Sequence, residues 1–116
     1  MKRLIIQSLL FTESLDLLID QHKILQEDYE ELERRLIQDP EDGDLIQGTG
    51  GLRKTRVKSP SGGKSGGFRV CYYDISVRGR LYLLFIYGKN VQENLTPEEK
   101  KFLKKLVETL KKEAGR

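Results

Sequence analysis

The sequence is poor in the residues that build disulfide frameworks, metal sites and membrane spans. It contains one cysteine and one histidine among 116 residues. The single cysteine, Cys71, excludes a disulfide framework and indicates a reducing compartment. No apolar run approaches the roughly 18 residues that a membrane-spanning helix requires, and no group of His, Asp and Glu has the spacing of a metal site. These absences predict a soluble, cytoplasmic protein without a metal or other cofactor.

The length and the first residues of the chain indicate the number of domains and the nature of the N-terminal segment. A chain of 116 residues is long enough to bury a core without disulfides or metal, so we expect a single domain over residues 1–116. Its first stretch, MKRLIIQSLLF, has a basic start and a short apolar run, and then meets Glu13 and Asp16 without a small-residue cleavage site. This pattern predicts a first strand and not a signal peptide.

Charge is strongly sorted along the sequence, although the whole chain is only +3. Residues 11–51 carry twelve acids and three bases, a net charge of −9. Residues 52–80 carry eight bases and one acid, a net charge of +7. A folded surface with one electropositive side is typical of proteins that bind polyanions. The simpler alternative is that these lysines and arginines only keep a small domain soluble.

Hydrophobic periodicity predicts four strands, at residues 2–7, 52–58, 68–77 and 80–87. Arg78 and Gly79 read as a two-residue hairpin turn between the last two strands. The segment SPSGGKSGG, residues 59–67, has the composition of a flexible loop. Cys71 lies inside an apolar run, where a buried small hydrophobe is more common than a reactive thiol.

Three helices are predicted around these strands. Thr12 is a candidate cap for the first, and the second carries apolar residues at Leu25, Tyr29, Leu32 and Leu36. Thr96, Pro97 and Glu99 form a capping-box pattern that opens the last helix. The expected buried stripe of that helix consists of Phe102, Leu103, Leu106, Val107 and Leu110.

Strand alternation places the cations on one face of the predicted sheet. Lys54, Arg56 and Lys58 point one way, whereas Thr55 and Val57 point towards a core covered by helices. On the next strand Arg69 shares a face with Cys71 and Tyr73. If the two strands are neighbours, this face combines cations that hold phosphate with an aromatic ring that stacks on a base. One of Tyr72 and Tyr73 is expected in the core.

Several strings together resemble the RelE/ParE toxin superfamily, and in particular its HigB-like branch. They are IQGTGGLRKTRV, FRVCYY and LLFIYGKN. The resemblance implies an α+β, RelE-like fold with a small, mainly antiparallel twisted sheet, two N-terminal helices and a C-terminal helix. It also implies the toxin of a type II toxin–antitoxin module, a metal-independent mRNA endonuclease that cleaves mRNA in the ribosomal A site and arrests translation.

The same resemblance implies the partners and the active residues. The partners are the 70S ribosome, mRNA and a HigA-like helix-turn-helix antitoxin. The toxin contacts operator DNA only through that antitoxin. Lys54, Arg56 and Arg69 match the catalytic positions of the family. Arg69 is the candidate phosphate ligand because its planar fork binds two oxygens. Lys54 is the candidate base, since lysine loses its proton more readily than arginine. The expected RNA contacts are Arg53, Lys58, Lys64, Tyr73, Tyr87 and Lys89.

The proton donor for the leaving oxygen is left open by the sequence. The family's arginine after the Gly-Lys pair is Asn90 here, and no tyrosine follows Tyr87. Lys89, Tyr87 and Tyr73 remain as alternatives. The only histidine, His22, falls on an apolar helical face in this interpretation and is expected to be a partly buried core residue. A ParE-like inhibitor of DNA gyrase, or a plain basic RNA-binding module on the same fold, is the alternative function.

Overall fold

Five strands and three helices make up the fold in a computed structural model that describes residues 3–58, 67–88 and 96–114. The strands are β1 (Leu4–Gln7), β2 (Asp44–Leu45), β3 (Arg53–Val57), β4 (Phe68–Ile75) and β5 (Arg80–Gly88). The helices are α1 (Leu9–Asp20), α2 (Gln26–Gln38) and α3 (Pro97–Ala114).

The strands form one sheet in the order β1-β5-β4-β3-β2. β1 runs parallel to β5, and the other three pairs are antiparallel. This architecture confirms the predicted α+β class, with a mainly antiparallel sheet, two N-terminal helices and a C-terminal helix.

Helices cover both faces of the sheet, and each face has its own core. Side chains of α1 and α2 pack with Val57, Val70, Tyr72, Leu81 and Leu83 on one face. On the other face, Leu103 and Val107 of α3 pack with Leu52, Cys71, Tyr73, Ile75 and Leu84. We call these the α1–α2 face and the α3 face. Because alternate residues of a strand take opposite faces, the division follows from the period-2 pattern of β4.

A β-bulge in β5 changes which residues reach the α3 face. Cys71 pairs with Phe85 but the next residue, Tyr72, pairs with Leu83, so Leu84 is the extra residue. Leu84 and Phe85 consequently both contribute to the core of the α3 face. Without the extra residue, strict alternation from Leu81 would send Tyr87 to the α1–α2 face; with it, Tyr87 packs on the α3 face.

The helix boundaries differ from the sequence prediction at the N-terminal pair. Ser8, and not Thr12, caps α1: its hydroxyl accepts a hydrogen bond from the amide of Phe11 at 3.0 Å. Thr12 lies inside the helix and donates to the side chain of Gln7. The prediction for His22 was wrong, because α1 ends at Asp20 and His22 lies exposed in the following turn with φ 58°.

Two connections also differ from the prediction. A 3-10 turn over Ser76–Arg78, closed by Gly79 in the left-handed region, replaces the two-residue hairpin between β4 and β5. The short strand β2 was not predicted, since two residues give no periodicity. Residues 59–66, which contain most of the predicted flexible loop, lie outside the described residues.

The GTGG string between β2 and β3 supports α3. Gly48, Gly50 and Gly51 all have positive φ, which favours glycine. A methyl group at Gly50 would come within 3.6 Å of Val107, and one at Gly51 within 3.0 Å of Tyr73. The glycines therefore allow the loop to pass between the sheet and α3. The predicted capping box begins α3 as expected, with reciprocal hydrogen bonds between Thr96 and Glu99.

Gly43 has no room for a side chain. A Cβ atom there would lie 2.6 Å from the carbonyl oxygen of Lys54 and 2.9 Å from a ring carbon of Tyr72. The hydroxyl of Tyr72 accepts from the Gly43 amide and donates to the Pro40 carbonyl, both at 2.8 Å. This loop is therefore fixed against β3 at Lys54.

We expect Gly43→Ala to lower the free energy of unfolding by about 1–3 kcal/mol, the usual cost of overpacking. Urea denaturation of the purified protein measures the change. Gly67→Ala is the matched control, because a Cβ atom at Gly67 would meet nothing within 4 Å. Equal free energies of unfolding for the two variants would show that the loop at Gly43 shifts to admit a methyl group without loss of stability.

No helix in the described part of the chain is both long enough and apolar enough to cross a membrane.

Candidate active site

Cationic and aromatic side chains meet in two adjacent rows on the α3 face. Arg56 of β3 pairs with Arg69 of β4, which pairs with Tyr87 of β5. The next row runs from Lys54 through Cys71 to Phe85. Arg69 therefore has Arg56 and Tyr87 as direct cross-strand neighbours and Lys54 as a diagonal one, at a Cα separation of about 7–8 Å. Side chains of this length at these spacings can reach a single phosphate group.

The bulge in β5 places Tyr87 beside Arg69. The Tyr87 ring is half-buried, and this burial raises the pKa of its phenol above the ordinary value, while the positive charge of Arg69 opposes the rise. Tyr87 is therefore a neutral phenol at physiological pH, with a proton available for donation.

Next to these rows lies a cleft of about 810 Å³ between the sheet and the start of α3. Its floor includes Lys54, Cys71, Phe85 and Tyr87. One wall is the first part of α3, residues 98–100 with Phe102 and Leu103, and β2 with the residues after it supplies Leu45, Ile46 and Gln47. Arg69 is not part of the lining and lies in the row beside it. The floor of the cleft thus carries one cation, Lys54, and a second, Arg69, lies next to it.

The charges of Lys54 and Arg69 are not neutralised by a carboxylate of the described residues. The three ion pairs found there join Arg3 to Asp74 and Arg35 to Glu31 and Asp42. Asp44 is opposite Lys54 in the β2–β3 register, yet the two form no ion pair. Like charges placed directly across strands, such as Arg56 and Arg69, repel each other. This part of the sheet therefore favours an anion.

The acidic helices lie on the other side of the sheet. The arrangement fits the charge sorting seen in the sequence, with α1 and α2 on one face and the cluster around Arg69 on the opposite one. Arg35 of α2 connects the two layers: its guanidinium donates to the backbone carbonyl of Arg56 and to the hydroxyl of Thr55. Its partners Glu31 and Asp42 hold it at 2.6 and 3.0 Å. α2 thereby fixes the backbone of β3 behind the cations.

Two predicted RNA contacts have other surroundings in the structure. Arg53 lies opposite Tyr72 in register, and its guanidinium donates to the carbonyls of Glu41 and Gly43. Tyr73 is only 7% exposed and packs in the core of the α3 face. Its ring offers no surface for a base to stack on, because α3 covers this face of the sheet, which was expected to be open. Both Tyr72 and Tyr73 are core residues, where one was expected.

The remaining predicted residues divide between the site and its margins. Lys58 is exposed just beyond the end of β3. Lys64 and Lys89 lie outside the described residues. Arg78 and Arg80, part of the basic block in the sequence, are at the far end of β5 from Tyr87, about 23 Å away along the strand for Arg80.

Burial raises the pKa of the Cys71 thiol to about 12, so Cys71 is an inert part of the floor, as expected from its apolar surroundings.

α3 contributes to the cleft, which was not predicted from the sequence. Phe102 was expected in the buried stripe but is 65% exposed, and it lines the cleft together with Glu98, Glu99 and Lys100. A helical wheel offers the signal: Phe102 lies at the edge of the apolar arc centred on Leu103, Val107 and Leu110. Phe102 provides the exposed ring that Tyr73 does not. In the described part of the chain, no group of three or more His, Cys, Asp and Glu side chains could hold a metal ion.

Comparison with known proteins identifies the fold and the family. The structure is similar to a mutant of the E. coli toxin RelE in the free state, with a TM-score of 0.60 and 13% sequence identity, over 80% of this chain and 90% of that chain. At this identity the likeness shows the fold. The model of a protein family described as "RelE toxin of RelE / RelB toxin-antitoxin system" matches residues 12–115.

The chain belongs to the RelE toxin family. It is accordingly a toxin of a toxin–antitoxin system, and an antitoxin is its expected partner. The resemblance to the RelE/ParE superfamily noted in the sequence is confirmed.

Proposed function

We propose that this toxin is a ribosome-dependent mRNA endonuclease that cleaves mRNA in the ribosomal A site and so arrests translation. The observation that carries the proposal is the strand register, which makes Arg56 and Tyr87 direct neighbours of Arg69 and Lys54 a diagonal one, beside a cleft. Neighbouring cations suit a reaction in which a phosphate acquires additional negative charge. Family membership supports an endoribonuclease activity.

The reaction that these side chains fit is attack by a ribose 2′-hydroxyl on the adjacent phosphorus. The bond from the 2′-oxygen to phosphorus forms, and the bond to the 5′-oxygen of the next nucleotide breaks. The products are a 2′,3′-cyclic phosphate and a free 5′-hydroxyl. One group has to accept the 2′ proton and another has to protonate the leaving oxygen.

Each side chain has a proposed role in that reaction. Arg69 binds two oxygens of the scissile phosphate, because it is central among the four groups and has a planar fork. Arg56 adds positive charge from the same row. Lys54, in the floor of the cleft, accepts the 2′ proton when its side chain is the neutral amine and thereby becomes the ammonium ion, whereas an arginine stays protonated at physiological pH. The reaction so described uses no metal ion.

Tyr87 is the proposed proton donor to the leaving oxygen. Of the two tyrosines among the alternatives that the sequence leaves open, Tyr73 is buried, whereas Tyr87 is adjacent to Arg69. Its phenol is neutral at physiological pH. Phe102, exposed on the cleft wall, supplies the aromatic surface on which a base of the codon stacks.

We expect Tyr87→Phe to lower the single-turnover rate of mRNA cleavage by about 10²–10⁴-fold, the usual contribution of a general acid. Quench-flow cleavage of mRNA on programmed ribosomes measures the rate. Tyr82→Phe is the matched control, because Tyr82 is also a half-buried tyrosine of β5 on the α3 face. A Tyr87→Phe rate within a factor of three of the control would remove Tyr87 from proton transfer.

The proposal includes the location and the partners of the toxin. It acts in the cytoplasm, where the 70S ribosome and mRNA are found, and a HigA-like helix-turn-helix antitoxin blocks it and connects it to operator DNA. Assignment to the HigB-like branch remains a prediction. The second candidate, a ParE-like gyrase inhibitor, lacks a comparable structural argument, since inhibition by binding alone does not require cations around one phosphate.

A further inference from the structure

A second basic surface lies on α3, outside the cluster around Arg69. It consists of Lys100, Lys101, Lys104, Lys105, Lys111 and Lys112, which we call the lysine stripe. At about 100° per residue these six positions cover roughly 140° of the helix circumference, and at 1.5 Å per residue they extend over about 18 Å. Only Glu108 interrupts them. All but the half-buried Lys100 are exposed.

The stability of α3 explains only part of the stripe. Glu108 lies three or four residues from Lys104, Lys105, Lys111 and Lys112, and Glu98 lies three residues from Lys101, spacings that favour opposite charges on a helix, but these lysines form no ion pair with the two glutamates. Lysines near a helix C-terminus complement the macrodipole, which accounts for Lys111 and Lys112 but not for Lys100 and Lys101 in the second turn. Lys100 with Lys104, and Lys101 with Lys105, are like charges four residues apart, which destabilise a helix. None of the six lysines forms an ion pair with a described residue.

The stripe is continuous with the cleft. Lys100 lines the cleft and belongs to the stripe. The stems of Lys100 and Lys104 lie against the glycine loop, within 3.4 Å and 3.8 Å of the positions that Cβ atoms of Gly48 and Gly50 would occupy. The first lysines of the stripe therefore lie beside the glycine loop, next to the cleft that contains Lys54. A polyanion that continues out of the cleft would meet them in turn.

We propose that the lysine stripe is the surface with which the toxin binds the phosphate backbone of ribosomal RNA. This rests on the proposed function and separates two tasks: the cations around Arg69 act on the scissile phosphate, and the stripe binds the ribosome. Lysines suit the second task because they contact phosphates as flexible point charges without reading a sequence. An anionic membrane is disfavoured, because Leu103 and Val107 bury the apolar side of α3 against the sheet.

Three exposed lysines provide the test: Lys101→Gln, Lys105→Gln and Lys112→Gln together. Glutamine retains the helix propensity of lysine. The control is Lys23→Gln, Arg34→Gln and Arg78→Gln, which removes the same charge at three exposed positions away from α3. Both triple variants carry Arg69→Ala, so that mRNA is not consumed. Fluorescence anisotropy with labelled toxin and 70S ribosomes measures the dissociation constant from 50 to 300 mM KCl.

The stripe variant is expected to bind ribosomes at least about tenfold more weakly at 100 mM KCl. The slope of log affinity against log salt should become shallower by about 2, from three lost phosphate contacts. The control should retain both the affinity and the slope of the Arg69→Ala protein. Equal weakening of the two variants would reduce the effect to net charge, and unchanged binding of the stripe variant would overturn the proposal.

Binding to the antitoxin and cleavage of mRNA give two further outcomes. Unchanged ribosome binding together with loss of antitoxin binding would overturn the proposal and make the stripe a protein interface. The stripe variant could bind ribosomes more weakly although the unmodified toxin cleaves no mRNA. That result would support the role of the stripe in ribosome binding and contradict the proposed endonuclease activity. Binding and cleavage are measured separately, so failure of one inference is not mistaken for failure of the other.

Discussion

Arg69→Ala is expected to lower the rate of ribosome-dependent mRNA cleavage by about 10²–10³-fold, the effect of removing one donor that stabilises charge in a transition state. The reason is its central place: Arg56, Tyr87 and Lys54 all neighbour Arg69, and no carboxylate of the described residues neutralises it. Single-turnover cleavage on programmed ribosomes gives the rate, and circular dichroism shows whether the variant remains folded.

Arg78→Ala is the control for this substitution. Arg78 is an exposed arginine in the turn at the other end of β5, so its loss changes the net charge equally without affecting the cleft. Arg69→Lys should recover only part of the rate, since an ammonium group does not bind two phosphate oxygens in a planar fork. A folded Arg69→Ala protein that cleaves at the rate of the Arg78→Ala control would exclude Arg69 from the reaction.

The cluster around Arg69 could be placed from the sequence because strand alternation is a short-range rule. Lys54 and Arg56 lie two residues apart in one strand, and Arg69 shares a face with Cys71 in the next. The structure pairs these strands in the register that brings Arg56 opposite Arg69. The four longer strands and the three helices were predictable from similarly local patterns, including the capping box that begins α3, whereas β2 and the start of α1 were not.

Contacts between distant segments could not be predicted in this way. The alternation of side chains along β4 does not show whether helices cover one face of the sheet or both. The burial of Tyr73 under α3 was therefore not predicted. The bulge at Leu84 has no signal in an apolar run such as LYLLFIY, yet it determines the face on which Tyr87 lies. The hydrogen bonds that the Arg53 guanidinium donates to the carbonyls of Glu41 and Gly43 depend on a loop 12 and 10 residues away.

Local competition between caps explains the errors in the N-terminal helices. Ser8 and Thr12 are both suitable N-cap residues, and the choice falls on Ser8 because its hydroxyl also donates to the carbonyl of Leu84 in the sheet. His22 was assigned to a helical face because the apolar periodicity continues through Ile19. The chain instead turns at Gln21, and Ile24 becomes the buried residue.

The second large effect concerns the ribosome. The proposed proton-transfer groups are a lysine and a tyrosine, without a histidine, so the site has limited power to move protons near neutral pH. Its rate therefore depends on a substrate held with the 2′-hydroxyl in line with the leaving oxygen. Such orientation contributes on the order of 7 kcal/mol, or about 10⁵-fold in rate. We expect naked RNA to be cleaved slower than A-site mRNA by a factor approaching this value.

The most direct test compares one end-labelled mRNA with and without programmed 70S ribosomes, and repeats the ribosome reaction with a single 2′-deoxynucleotide at the scissile position. The proposed function predicts cleavage only on the ribosome, products with 2′,3′-cyclic phosphate and 5′-hydroxyl ends, and no cleavage of the deoxy-substituted mRNA. Equal rates with and without ribosomes would contradict dependence on the ribosome. Cleavage of the deoxy-substituted mRNA, or no cleavage in any reaction, would contradict the proposed chemistry of the Arg69 site.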